Sequence, residues 1–164
     1  MIYDAGLGST PSCIRIQGTS VSFVDCTFEA AGLLIASGGS AIVEQCDFLR
    51  SSAAICAAGT GTRVSLTSCN FVACSEALAV STGARVHASR CTIRDCRVNS
   101  MHVAAHGHLS LRACSVLRGA GFGLWAADTS VANLCDTDMH ECELGPMHTA
   151  AGARVEKTDA CSFV

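Results

Sequence analysis

One spacing constrains this chain more than any other: a cysteine followed two places later by a large apolar residue recurs along its length. The matches are Cys26-Thr-Phe28, Cys46-Asp-Phe48, Cys69-Asn-Phe71, Cys91-Thr-Ile93, Cys114-Ser-Val116 and Cys161-Ser-Phe163. From Cys26 to Cys114 the successive steps are 20, 23, 22 and 23 residues. Upstream of each match lies a short alternating run: VSF from Val21, AIV from Ala41, VSL from Val64, VHA from Val86, LSL from Leu109 and RVE from Arg154. Before that comes a turn, usually with glycine, and before the turn a third short run such as GLLIA, AAICA, ALAV, MHVA or FGLWA. A unit of this size holds three strands too short to survive alone, and its apolar face is covered only by the matching face of the next unit. Coiling the chain so that equivalent strands lie parallel, about 4.8 Å apart, pairs each backbone with the laps above and below.

The expectation is an all-β chain, a parallel β-helix of about seven rungs with three short strands per rung. Residues 13–164 form the repeat domain, and residues 1–12 an N-terminal segment or partial cap. The units resemble those of right-handed parallel β-helix proteins, the pectate-lyase-like family, over nearly the whole chain from Cys13 to Phe163. That resemblance implies a right-handed coil but no particular activity, because the architecture carries lyases, hydrolases, adaptors and inert scaffolds alike.

Period-two alternation sorts inside from outside. In VSLTSCNF, Val64, Leu66, Cys69 and Phe71 point inward while Ser65 and Asn70 point outward. Cys26, Cys46, Cys69, Cys91, Cys114 and Cys161 then form one column along the axis, and Cys74 and Cys96 a shorter one. Stacked β-carbons near 4.8 Å lie outside the usual disulfide range of about 3.5–4.5 Å. The cysteines of these columns therefore read as free thiols acting as small buried hydrophobes. The sixth unit breaks the frame. Aligning Val131 with Val64 puts Asp136 and Asp138 where Cys69 and Phe71 stand, and two inward carboxylates are costly. A bulge or longer turn is expected there to redirect them outward.

Three groups of residues are candidates for function. The strand before each glycine turn turns His102, Trp125 and His148 outward on consecutive rungs, which lines them up on one outer sheet. An exposed tryptophan between polar groups suits recognition of a protein or a sugar; the competing reading has Trp125 covered by a terminal segment or a neighbouring loop. The net charge of −3 hides a basic band, with six arginines between Arg85 and Arg118 against Asp95 alone. Arg94, Arg112 and Arg118 in that band suit phosphate or carboxylate, or form a solvated edge. Without interleaved aromatics they make a poor nucleic-acid platform. Asp136, Asp138 and His140 share one face if their segment is extended, with Cys135, Cys142 and His148 nearby in sequence. These are metal-ligand types, but their spacing fits no standard Cys/His site, and a solvated acidic loop is the competing reading.

Pectin-degrading members of the resembled family place carboxylates, a basic residue or calcium on an outer sheet face. This chain has no Asp-Asp pair, Asn-x-Asp, Gly-His-Gly or Arg-x-Lys, and His106-Gly107-His108 has the wrong order. No catalytic residue is assigned and no cofactor is expected. Were the chain an enzyme, it would be a polysaccharide lyase or glycoside hydrolase, with Asp136, Asp138 and Arg112 or Arg118 near a cleft. The preferred reading is a non-catalytic scaffold that binds partner proteins through a flat sheet face, or neighbouring β-helix segments at its open ends. CSFV stops in mid-rung, and Tyr3 to Pro11 is too short and glycine-rich for a helical cap. The uncharged run Ala30 to Val43 is too short to span a bilayer. MIYDAGLGST has no signal-peptide pattern, so a reducing, cytoplasmic setting is expected.

Overall fold

A computed structural model describes residues 2–3 and 12–163. Each lap of the chain gives one strand to each of three parallel sheets, and seven laps stack into a right-handed parallel β-helix. Sheet I stacks Ser12–Gln17, Ala31–Ala36, Ala53–Ala58, Glu76–Ser81, Met101–Val103, Phe122–Ala126 and Gly145–Thr149. Sheet II runs from Ser20–Val24 to Arg154–Lys157, and sheet III from Thr27–Glu29 to Ser162–Phe163. Ile2–Tyr3 pairs antiparallel with Ser12–Gln17 and covers that edge of sheet I. The rest of the N-terminal segment to residue 11 lies outside the described residues.

Register does what the repeat requires. Val64, Val86 and Leu109 stack in one inward row, and Leu33, Ile55, Leu78, Met101 and Leu124 in another. Phe28, Phe48 and Phe71 stack with ring centroids 4.6 and 5.0 Å apart and planes within 8°. Burying each large side chain contributes roughly 1.5–3 kcal/mol, and identical neighbours let one lap repeat the packing of the last.

Every lap from the first to the sixth turns its II–III corner through a residue at positive φ: Asp25, Gln45, Ser68, Arg90, Ala113 and Asp136. Left-handed backbone costs an L-residue about 1–2 kcal/mol. What offsets it is continuity, because the corner amide still donates to the next lap: Gln45 N to Thr67 O at 2.9 Å, Ser68 N to Ser89 O at 3.0 Å, Arg90 N to Arg112 O at 2.9 Å. The inward cysteine follows this corner residue. Its thiol donates back across the corner, Cys46 to Glu44 O at 3.2 Å, and Cys69 to Thr67 O and Cys114 to Arg112 O at 3.4 Å each. A cysteine here is small enough for the corner and also satisfies a carbonyl.

The sixth lap corrects the sequence reading. Ala132 pairs with Leu109 and Leu134 with Leu111, so the frame is one residue later than the alignment on Val131 and needs no bulge. Asp138 then pairs with Ser115 on the outer face of sheet III, and Asp136 occupies the corner at φ 48. Thr137, fully buried, takes the cysteine's place and donates from Oγ1 to Cys135 O at 3.1 Å. The second thiol column is longer than expected: Cys74 lies between Ser51 and Cys96, and Gly119 and Cys142 continue it, as the ladder Ser75 N to Ser51 O, Arg97 N to Cys74 O, Ala120 N to Cys96 O and Glu143 N to Gly119 O shows. All twelve cysteines are free.

Candidate functional site

The outer face of sheet I presents one register row of Arg15, Leu34, Cys56, Ala79, His102, Trp125 and His148. Most of its flank is alanine, including Ala36, Ala58 and Ala104. Flat, small and nearly uncharged, this face ends in rings. His102 lies 5.2 Å from Trp125 with planes at 22°, His148 meets it edge-on at 6.1 Å, and Phe122 is 5.1 Å from His148. Trp125 keeps 37% of its surface exposed, so the reading that buried it under a loop does not describe this site.

Loops explain the rest. The III–I corner is the single residue Ala30 in the first lap, but residues 95–100 in the fourth, 118–121 in the fifth and 141–144 in the sixth. These longer corners stack on one another through Ala120 N to Cys96 O at 2.8 Å and Glu143 N to Gly119 O at 2.8 Å, and rise beside sheet I. Between them and Trp125 lies a groove of about 410 Å³ lined by Arg97, Val98, Phe122, Leu144 and His148, with Asn99 at its base. Asn99 is buried and accepts from Phe122 N at 3.0 Å, which fixes the groove floor. Val98 and Leu144 are 50% and 63% exposed. Three of the five exposed large apolar side chains among the described residues thus meet at one place. Corner length is invisible to the strand alternation, so Val98 and Leu144 were not anticipated; the unusually long interval from Arg94 to Met101 was the available signal. Farther along the sheet, burial raises the Glu76 carboxyl above its ordinary range, and the nearby His102 partly opposes this.

The arginine band does not form one cluster. Arg118 pairs with Asp95 at 2.8 Å and Arg94 approaches the same carboxylate at 3.7 Å, near the III–I corner. The Arg118 hydrogen bond holds the Asp95 carboxyl below its usual range. Arg112 stands at the end of its strand on sheet II, a different face. Asp138 and His140 share the outer face of sheet III while Asp136 sits at the corner, His148 belongs to sheet I and Cys142 to the inner column. Among the described residues no three His, Cys, Asp or Glu side chains come together in a way that holds a metal ion.

The stacked laps and the alternating rows that build this face define a β-solenoid repeat protein. The right-handed β-helix family model matches residues 12–161, and the chain belongs to that family. Comparison with curated proteins finds no match. Among the described residues no helix is long and apolar enough to cross a membrane.

Proposed function

We propose that this chain is a non-catalytic interaction module that binds a partner protein through the outer face of sheet I, with Trp125 as anchor. The observation that carries the reading is the convergence of Trp125, Val98 and Leu144 on one groove beside an almost uncharged sheet. Apolar anchors of this kind, seated in a pocket and ringed by polar groups, carry most of the free energy at protein interfaces. Arg97 and His148 at the rim, with His102 stacked on Trp125 beside it, favour a partner that inserts an apolar side chain flanked by acidic residues.

A carbohydrate-binding or polysaccharide-degrading role is the second reading, favoured by the exposed indole. Sugar platforms need an open ring face, however, and the nearly parallel His102 ring covers one face of Trp125. The test is affinity capture from the source organism with the wild-type chain, Trp125→Ala and a control on the outer face of sheet II, Glu44→Ala, followed by binding of the purified captured protein. Trp125→Ala is expected to weaken that binding by about 2 kcal/mol or more, with the control unchanged. Equal binding by all three overturns the proposal; release of unsaturated uronate from an acidic polysaccharide would establish the second reading.

A further inference from the structure

The outer face of sheet II carries a separate concavity of about 500 Å³. It crosses the strands along one register row, Ile42, Ser65, His87, Ser110 and Asn133. Beside that row runs another, Ser40, Arg63, Arg85 and His108. Among the described residues no aspartate or glutamate lines the groove, although the chain as a whole is acidic at −3.

Arg63 and Arg85 are direct register partners on adjacent strands, with backbones about 4.8 Å apart. Like charges placed so repel. Four of the other arginines stand beside carboxylates, Arg50 with Glu29, Arg94 and Arg118 with Asp95, and Arg154 with Glu156, and among the unpaired ones only Arg63 and Arg85 are register partners on adjacent strands. Among the described residues Arg63 and Arg85 make no ion pair. An anion lying between them converts that repulsion into two charge-assisted contacts. A carboxylate offers two oxygens and a single charge, enough for one guanidinium fork. A phosphoryl group offers three oxygens and a charge of about −1.5 to −2, enough for both forks. The hydroxyls of Ser65 and Ser110 and the amide of Asn133 supply neutral donors along the same floor.

We propose that this groove binds phosphoryl groups, with Arg63 and Arg85 as a paired cationic clamp. Free phosphate and a phosphorylated protein side chain offer the same chemistry, and the test separates them. Inorganic pyrophosphate and a phosphoserine peptide are titrated in turn into the ¹⁵N-labelled chain, following the Nε–Hε signals of Arg63 and Arg85 against that of Arg50. The expected result is a saturable shift at the first two only. Binding should weaken by at least about tenfold in Arg63→Ser/Arg85→Ser, and measurably in Arg85→Gln, a single exposed change that leaves the core intact. A preference for the phosphopeptide makes the source a modified protein, a preference for pyrophosphate makes it a free phosphate, and equal affinity makes the phosphoryl group alone the determinant. Non-saturating shifts, an equal response at Arg50, or unchanged binding by Arg85→Gln overturn the proposal.

Discussion

A thiol at every II–III corner but the sixth is a packing choice with an electrostatic consequence. Burial pushes the Cys46 and Cys74 thiols above their ordinary range, and pushes Cys96 up to about 12 from 9.0, with the neighbouring Cys74 and Asp95 adding to the rise. Hydrogen bonding to the Cys114 and Cys69 thiols, and then burial, raises Cys91. The raised Cys96 contributes fully below the unfolded thiol's value and loses its contribution as pH climbs through its folded value. Urea unfolding is expected to show stability falling between about pH 9 and 12, by ~4 kcal/mol from Cys96 alone, and a Cys96→Ala variant should lack that part of the fall. Thr137 shows what the position demands, a small side chain with a donor for the corner carbonyl. Thr137→Cys should therefore change stability by less than about 1 kcal/mol, whereas Cys69→Leu should cost about 1–3 kcal/mol by overpacking. That these cysteines would be free and inward was legible from their spacing. Their hydrogen bonds were not, because they depend on a left-handed corner that no residue type announces; the corners use Asp, Gln, Ser, Arg and Ala alike.

At the scale of strands and corners, backbone continuity outweighs local propensity. Ala113 adopts φ 51 so that its amide can reach Cys135 O at 2.9 Å. Ala113→Gly removes the side-chain penalty and should raise stability by about 1 kcal/mol, and Ala113→Val should lower it, both read from denaturant midpoints at constant slope. Gly32 poses the opposite constraint. A β-carbon there would lie 2.0 Å from Ala53 O, a backbone atom of the next lap, so Gly32→Ala should shift two strands and cost about 2 kcal/mol or more. The strands themselves were readable, since their apolar rows alternate cleanly. The sixth lap was misread for a specific reason: with threonine at 137 the landmark cysteine is missing, and Val131 offers a more apolar start than Ala132. The correct frame is fixed by Leu134 and Met139, both buried, which fall inward only when Ala132 leads.

Taken whole, the solenoid sorts its chemistry by face. Sheet I is alanine-rich and carries Trp125 one lap from its end, sheet II carries stacked arginines and histidines, and sheet III a polar row in which Asn70 donates to Asp47 at 2.8 Å. Neighbours in sequence therefore part, as Arg112 does from Arg118, while residues one lap apart meet. The row His102, Trp125 and His148 was legible because alternation and lap length fix it; the groove beside it was not, because corner lengths follow no period. Since Trp125 projects from the sheet but packs on the His102 and His148 rings, Trp125→Ala should lower unfolding free energy by about 1–2 kcal/mol, less than a core truncation, while removing the anchor. Phe71→Ala, from the inner stack, should cost about 3–5 kcal/mol in the same assay.

Nuclear Overhauser spectroscopy of the aromatic protons tests the in-register stacking of laps, and the surface built on it, in one experiment. Cross-peaks from the Trp125 indole to both the His102 and the His148 imidazoles, each 23 residues away in the chain, are the result this structure requires. A Trp125 that touches neither ring, or touches only its sequence neighbours, would contradict the fold and the binding face together.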